Sequence, residues 1–215
     1  MTFDKILSVA VANDYNPKYK QAINRFNISR LAWSSDALYE DKIGKSKPEY
    51  NMNMLVGKIL GRYAQSTFSQ DKIAMLRKLD FINDYQMDQL LTYAHNGWEI
   101  ESRVEILLKF EWKNLELQNL TLSGKLDLLN RDLKQLIELK TPMFKSDVKD
   151  YAICQASLYW RGIKESTGLD YKAVVGTVHP EQQNYVLKPK DKMPLSNKMI
   201  DEAIKVAKMI DKYYA

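Results

Sequence analysis

The 215-residue chain contains one cysteine, eight glycines, six prolines and two histidines, and each shortage argues against a class of protein. A single cysteine excludes a disulfide framework, a zinc site of four thiolates and a cysteine-ligated iron–sulfur cluster. Few glycines and prolines favour long helices over an all-β sandwich with many turns. His95 and His179 have no second histidine near them in the sequence, which disfavours a histidine-based zinc site.

Long apolar runs are also missing. No run in the sequence approaches the ~20 residues needed to cross a bilayer, so we expect no transmembrane helix. Residues 6–12 have the apolar character of a short signal sequence, but this run has the minimum length and follows Asp4 as well as Lys5. We therefore expect a cytoplasmic protein with no membrane contact.

The composition that remains is that of an ordinary globular protein with a small basic excess. Hydrophobic residues make up 45% and charged residues 27% of the chain, which excludes long disorder, collagen and coiled-coil arrays. The balance of 32 Lys and Arg against 27 Asp and Glu gives a net charge of +5. This charge is compatible with a polyanionic partner such as a nucleic acid but does not require one.

Apolar periodicity predicts mainly helices in the first hundred residues and a sheet after them. Helical spacing occurs at 54–68, 71–79 and 87–94, after an N-cap region at Ser35-Asp36. Segments 104–112, 115–122, 125–129 and 133–141 have strand-like patterns and together predict a three-stranded antiparallel meander. A helix at 147–163, two strands at 171–178 and 183–187 joined by a turn at His179-Pro180, and a last helix capped by Ser196 follow.

The order of these elements predicts the fold class. It is α/β (α+β), with a central mixed β-sheet of about five strands flanked by helices and an N-terminal helical annex. We expect a single domain, in which residues 1–97 form the annex and residues 98–215 form the core.

One group of charged residues is unusual. It consists of Gly124-Lys125-Leu126-Asp127 and, further along the chain, Glu138-Leu139-Lys140. In a strand, Glu138 and Lys140 project to one side, and a paired neighbouring strand can bring Asp127 beside them. Two carboxylates this close repel each other unless a cation lies between them, and oxygen ligands of this kind suit Mg²⁺ or Mn²⁺. The alternative is a surface salt bridge between Asp127 and Lys140, worth ~0.2–1 kcal/mol.

The helix after this group carries a polar side chain on an apolar face. Gln155 and Tyr159 are four residues apart and share a face with Tyr151 and Ala152, which periodicity places against the sheet. A buried amide left without partners costs roughly 1–3 kcal/mol. Gln155 is therefore expected either to satisfy a backbone group or to reach a ligand or an active-site group.

Together these motifs resemble the PD-(D/E)XK nuclease superfamily. G-x-x-D ends at Asp127, E-x-K is formed by Glu138 and Lys140, and Q-x-x-x-Y is formed by Gln155 and Tyr159. The arrangement is similar to the branch that holds RecB-type nuclease domains, Cas4-like exonucleases and phage recombination exonucleases of the exonuclease VIII type. Each motif is short, and the specificity of the resemblance comes from all three occurring in this order.

The resemblance extends over roughly residues 28–210. Ile28-Ser29-Arg30-Leu31 is similar to the family's serine-containing opening segment, and Val56-Gly57-Lys58-Ile59-Leu60-Gly61 to its glycine-centred helix. Many members carry a metal-binding histidine where this chain has Gly61, and Glu105 is the candidate substitute ligand. Cas4-like members use several cysteines for an iron–sulfur cluster, so this sequence is similar to the cluster-free exonuclease type.

The resemblance implies a metal-dependent deoxyribonuclease, an exonuclease rather than an endonuclease, acting in DNA recombination, repair or the processing of a phage or virus genome. It implies that Asp127, Glu138 and the backbone carbonyl of Leu139 bind one or two Mg²⁺ ions, for which Mn²⁺ can substitute. Lys140 would orient the attacking water or stabilise developing charge, and Gln155 and Tyr159 would hold the strand end or a phosphate. The product expected by analogy is a 5′-phosphate.

DNA is the expected partner, together with a single-strand annealing or recombination protein, and an oligomer is compatible with a processive exonuclease. Lys145, Lys149 and Arg161 are candidates for attracting phosphates. Two alternatives stay open on the sequence alone. One is a DNA-binding protein of the same fold without catalytic activity, and the other is a structural or interaction protein in which the charged group is an ion-pair patch.

Overall fold

A computed structural model describes residues 25–31, 35–42, 97–112, 116–140, 147–177 and 181–214 of the chain. The predicted helices at 54–68, 71–79 and 87–94 and the turn at His179-Pro180 lie outside these residues. The described elements are, in chain order, β1 (Arg25–Asn27), a 3₁₀ turn (Ile28–Arg30), α1 (Ser35–Lys42), β2 (Glu99–Trp112), β3 (Glu116–Asn130), β4 (Gln135–Lys140), α2 (Asp150–Thr167), β5 (Lys172–Thr177), β6 (Tyr185–Val186) and α3 (Pro189–Tyr214).

The described strands form one mixed sheet of six strands with helices packed against it, so the predicted fold class is confirmed. The strand order is β1-β3-β4-β5-β6, and β2 pairs with the other edge of β3. Strands β2, β3 and β4 form the predicted antiparallel meander, in which 115–122 and 125–129 belong to a single strand, β3. The crossover through α2 makes β5 parallel to β4, and β6 returns antiparallel to β5.

One edge of β3 is shared by two different neighbours. Strand β1 pairs with Thr121–Ser123, and β4 pairs with Leu128–Asn130. Because β2 pairs with the opposite edge at Gly124, Lys125 and Leu126 and on both sides of this stretch, residues 124–127 lie in a gap between β1 and β4. These four residues are the G-x-x-D motif, and their backbone groups on this edge need partners other than a neighbouring strand.

Strand β1 is a short strand in a region that the sequence predicts to be mainly helix and loop. Its three residues run parallel to β3, with Arg25 opposite Thr121 and Asn27 opposite Ser123. A strand of three residues is too short to show an alternating pattern, so periodicity could not distinguish it from loop. The 3₁₀ turn follows at once, and the Asn27 side chain accepts a hydrogen bond from the Ser29 amide, 3.0 Å.

Helix α2 packs its apolar face against β2, β4 and β5. It runs one turn further than predicted and ends where Gly168 adopts a left-handed conformation, with φ +72° and its amide bonded to the Lys164 carbonyl at 2.8 Å. The core between this helix and the sheet is formed by Phe26, Ile28, Val104, Ile106, Leu120, Leu122, Leu126, Leu136, Ala152, Ala156, Tyr159, Ile163, Ala173 and Val175.

Helix α3 begins at Pro189, so the prediction that Ser196 caps it is wrong. Ser196 lies inside the helix, and its hydroxyl donates to the Met193 carbonyl at 2.9 Å. Pro194 lies within the second turn of the helix, a position where proline is disfavoured because it lacks the amide that would donate to the preceding turn. Buried Lys192 fixes these first turns by donating to the Tyr171 carbonyl at 2.8 Å. No helix among the described residues has the length and apolar character needed to cross a membrane.

Gly162 sets the distance between α2 and β2, and its replacement by alanine is expected to destabilise the protein. An added Cβ would overlap Val104 Cγ1 and lie 3.2 Å from Ile106 Cγ1. We expect Gly162→Ala to lower the free energy of unfolding by about 1–3 kcal/mol, which outweighs the gain of up to ~1 kcal/mol in helix propensity. Urea denaturation measures this change.

The matched control is the same substitution in a Val104→Ala background, where the overlapping methyl groups are gone. There Gly162→Ala should cost less or be neutral, because the cavity accommodates the new Cβ. An equal cost in both backgrounds would show that the close packing against Val104 is not the cause.

Candidate active site

The gap along β3 determines where Asp127 lies. The next pair of the β3–β4 ladder after Leu128 and Ile137 would be Asp127 and Glu138, but regular pairing stops at Leu128. Instead, the Leu139 amide donates to Asp127 Oδ2 at 2.7 Å. The side chain of Asp127 therefore takes the place of a backbone acceptor, which fixes its carboxylate between the two strands as they separate.

Glu138 and Lys140 form an ion pair on the same side of β4, as the strand period predicts. Lys140 Nζ lies 2.5 Å from Glu138 Oε1, and the Glu138 side chain is 3% exposed against 26% for Lys140. The ammonium therefore lies between a buried carboxylate and the solvent. A charge-assisted hydrogen bond of this kind is stronger than a surface ion pair, because little water competes for it.

Gln155 and Tyr159 link Lys140 to β3 through a chain of hydrogen bonds. Lys140 Nζ donates to Gln155 Oε1 at 3.3 Å, and Gln155 Nε2 donates to the Tyr159 hydroxyl at 3.4 Å. The Tyr159 hydroxyl then donates to the Lys125 carbonyl at 2.9 Å, in the gap of β3. The sequence predicts that Gln155 either satisfies a backbone group or reaches a ligand or an active-site group. In the structure its amide contacts Lys140 of the charged group. This chain of hydrogen bonds restricts the position of Lys140. It also satisfies the Lys125 carbonyl in the gap along β3.

Gly124 provides the space for this contact. A Cβ at this position would lie 2.8 Å from the Tyr159 hydroxyl and 3.2 Å from Ile28 Cβ. Any side chain at residue 124 would push Tyr159 away from the Lys125 carbonyl. The glycine of G-x-x-D is therefore explained by the close approach of α2 to the edge of β3.

Burial dominates the electrostatics of the two carboxyl groups. Burial and then the negative charge of Glu138 raise the pKa of Asp127 well above its usual value, and burial raises the pKa of Glu138. Burial alone would lower the pKa of Lys140, but the charges of Glu138 and Asp127 outweigh it and raise this pKa. Burial and the charge of Glu138 raise the pKa of the Tyr159 hydroxyl, so it remains a hydrogen-bond donor.

The second carboxylate oxygen of Glu138 suits a cation. Glu138 Oε2 is buried and has no hydrogen-bond partner among the described residues. A buried anionic oxygen without a donor is costly, and Asp127 close by adds repulsion. The two carboxylates supply the hard oxygen donors that Mg²⁺ and Mn²⁺ prefer, so the residues present fit such an ion. A group of three or more His, Cys, Asp or Glu side chains able to hold a metal does not occur in the described part of the chain.

The structure brings Asp127, Glu138, Lys140, Gln155 and Tyr159 together, and places the backbone of Leu139 beside them. It places Glu105 elsewhere on the sheet, opposite Ser123 and in ion pairs with Arg25 and, at 2.7 Å, with Arg103. These arginines hold the pKa of Glu105 below its usual value, Arg103 contributing most.

Two of the three basic candidates for phosphate contact lie in the described residues. Lys149 is exposed just before α2. Arg161 lies on α2 with its guanidinium bonded to Glu165 and to Asn197 of α3, each at 2.7 Å. Lys145 is outside the described residues.

Two neighbours of the site were not predicted. Glu101, in β2, has φ +52° and binds Lys125 at 2.6 Å, and its charge contributes to the raised pKa of Asp127. Its proximity follows from the β2–β3 register, which the sequence does not reveal. Tyr151, expected to pack on the sheet, is 45% exposed, and its ring centroid lies 5.5 Å from Lys140 Nζ. It lies in the first turn of α2, where the apolar face ends.

Comparison with known proteins rests on structure alone. No protein-family model and no curated protein matches the sequence. The fold is similar to the crystal structure of SSO0001, with a TM-score of 0.59 and 15% identity over 96% of this chain and 87% of that one. It is also similar to a protein from Eubacterium rectale provisionally named an exonuclease, with a TM-score of 0.56 and 13% identity over 90% and 85%. At these identities the likeness shows a shared fold.

The raised carboxyl pKa values predict that the metal-free protein loses stability as pH rises. In the unfolded chain Asp127 and Glu138 release protons near their usual values of 3.8 and 4.5, whereas the folded protein retains them to higher pH. The stability that these two groups contribute to the folded state is therefore fully present below about pH 4. It is lost as pH rises through their folded-state pKa values. Asp127→Asn keeps an acceptor for the Leu139 amide but carries no charge. We expect this variant, in EDTA, to be more stable than the wild type at pH 8, with the difference shrinking towards pH 4.

Urea unfolding at several pH values measures this effect. Asp132→Asn, the same change in the exposed turn after β3, is the matched control and should leave the pH dependence unaltered. If Asp127→Asn has the same pH slope as the wild type, Asp127 is not the group that opposes folding at neutral pH.

Proposed function

We propose that the protein is a Mg²⁺-dependent deoxyribonuclease of the PD-(D/E)XK type, an exonuclease rather than an endonuclease. The observation that carries the proposal is the buried Glu138 oxygen without a partner, next to Asp127 and beneath the Lys140 ammonium. Two carboxylates and an ammonium held in this way match what a metal-assisted phosphodiester hydrolysis needs. The shared fold with a protein provisionally named an exonuclease adds support.

Asp127 and Glu138 would hold the ion, with the Leu139 carbonyl as a further candidate ligand. Mg²⁺ in protein sites commonly binds one or two carboxylates and completes its coordination with water and substrate phosphate oxygens. When bound, Mg²⁺ supplies Lewis-acid polarisation of the phosphoryl oxygen and lowers the pKa of water that attacks phosphorus. Asp127 and Glu138 would bind the ion in their charged form, so the ion competes with the protons that the raised pKa values of these groups favour.

Lys140 would neutralise charge that develops on the phosphate. Its raised pKa keeps it an ammonium at neutral pH, and 26% of its side chain faces solvent, where DNA would approach. A compact ammonium acts as a point charge and can also orient a water molecule. Gln155 and Tyr159 would act as positioning residues, since their hydrogen bonds fix Lys140 relative to β3.

The first prediction of this proposal concerns hydrolysis. We expect the purified protein to degrade linear DNA with Mg²⁺ and not with EDTA. Asp127→Asn, Glu138→Gln and Lys140→Met should each reduce the rate by about 10²-fold or more, because each removes a metal ligand or the charge that stabilises the transition state. Release of labelled nucleotides from the DNA ends measures the rate and separates exonuclease from endonuclease action.

Glu165→Gln is the matched control for Glu138→Gln, because it removes a carboxylate from the exposed ion pair on α2. It should retain wild-type activity. Full activity in Asp127→Asn and Lys140→Met would refute the site. Salt-sensitive DNA binding by the wild type without any cleavage would instead support a DNA-binding protein of this fold.

A second prediction concerns the ion itself and does not depend on activity. Mg²⁺ or Mn²⁺ should raise the melting temperature, since a ligand at 100 times its Kd stabilises the folded state by about 2.7 kcal/mol. Because binding releases protons from Asp127 and Glu138, the ions should bind more tightly as pH rises. Thermal unfolding with increasing Mn²⁺ measures both effects, and Glu138→Gln should abolish them. A melting temperature that no concentration of either ion changes would count against a metal site.

A further inference from the structure

Tyr151 lies at the border between the candidate active site and solvent. Tyr151, Gln155 and Tyr159 are spaced by four residues and form one line along α2. Tyr159 is 1% exposed, Gln155 is 6% exposed and Tyr151 is 45% exposed, so the line runs from the core to the surface. An exposed tyrosine alone has no functional meaning, since scattered surface aromatics are normal. Its position beside Lys140 is what distinguishes this one.

The ring of Tyr151 is held next to the ammonium of Lys140. Lys140 Nζ lies 5.5 Å from the ring centroid, within the range of a cation–π interaction. The same ammonium binds Glu138 and Gln155, so three contacts fix its position relative to the ring. A phosphate drawn to Lys140 would bring the nucleotide that carries it beside the exposed part of the ring. Aromatic side chains next to a basic group are a common platform for unpaired bases.

We propose that Tyr151 stacks on the base of a nucleotide adjacent to the scissile phosphate, and that the substrate is therefore single-stranded DNA or a frayed duplex end. This inference rests on the proposed function and specifies its substrate class. A base inside a duplex is already stacked on its neighbours, and freeing it costs a few kcal/mol. An unpaired base incurs no such cost, so the ring favours single strands.

The experiment compares two variants on oligonucleotides with and without a base. Tyr151→Phe keeps the ring, and Tyr151→Leu removes it at an exposed position that tolerates the change. The probes are a single-stranded oligonucleotide, and the same strand with one abasic residue placed in turn at each position near the cleaved bond. The measured quantity is kcat/KM for cleavage with Mg²⁺.

We expect Tyr151→Phe to match the wild type and Tyr151→Leu to cleave the normal strand about tenfold more slowly. At one position, the abasic residue should slow the wild type by a similar factor and leave Tyr151→Leu unaffected. The wild type should also prefer the single strand to a duplex with clamped ends, and Tyr151→Leu should lose part of that preference. Leu169→Ala, an exposed apolar residue just beyond the other end of α2, should behave like the wild type.

Three results would overturn the inference about Tyr151 without contradicting the proposed nuclease function. They are wild-type kinetics in Tyr151→Leu, an equal loss on normal and abasic strands, or a wild type that cuts clamped duplex faster than single strands. The second result would mean that the ring only positions Lys140. A wild-type protein that neither binds nor cleaves DNA would overturn the proposed function and this inference together.

Discussion

The contact between the Lys140 ammonium and the buried Glu138 carboxylate is the interaction on which the rest of the site depends. Two carboxyl groups in a poorly hydrated position repel each other, and one ammonium offsets only part of that repulsion. Gln155 and Tyr159 hold the ammonium where it is most effective. The geometry therefore holds charged side chains in a poorly hydrated position that opposes folding. Such an arrangement is typical of sites selected for chemistry rather than for stability.

The sheet explains why the charges gather at this place. Residues 124–127 lie along a stretch of β3 edge that neither β1 nor β4 covers. Side chains make the hydrogen bonds at this gap. The Tyr159 hydroxyl donates to the Lys125 carbonyl of β3, and the Asp127 side chain accepts from the Leu139 amide of β4. A regular strand pairing at this point would have replaced both contacts with backbone hydrogen bonds. The interrupted edge thus makes side chains, rather than backbone, the partners at the site.

Much of this arrangement could be predicted from the sequence, because it depends on the side-chain periodicity within single strands and helices. The strand period places Glu138 and Lys140 on one side of β4, and the helical period aligns Gln155 with Tyr159. The meander and the crossover helix follow from the same patterns. What could not be predicted depends on long-range register or on very short elements. Strand β1 has too few residues for a pattern, and the position of Glu101 beside Asp127 is set by antiparallel pairing.

Two further differences have local causes that pattern reading misjudged. Proline is disfavoured inside a helix, yet Pro194 lies within α3, which begins five residues before it. Tyr151 continues the apolar line of α2, but the helix begins beside the sheet edge, so its first turn has less sheet to cover. A hydrophobic period identifies a face and does not show how far the opposing surface extends.

The pairing of β1 with β3 has a consequence for the order of folding. Arg25 and Ser123 are 98 residues apart in sequence, and closing a loop of that length costs about 4 kcal/mol of chain entropy. All five side chains of the site lie between Asp127 and Tyr159, on elements that are consecutive in the chain. Low contact order of this kind favours early formation. The meander and α2 can thus assemble the geometry of the candidate site first, and β1 with its 3₁₀ turn packs beside Gly124 afterwards.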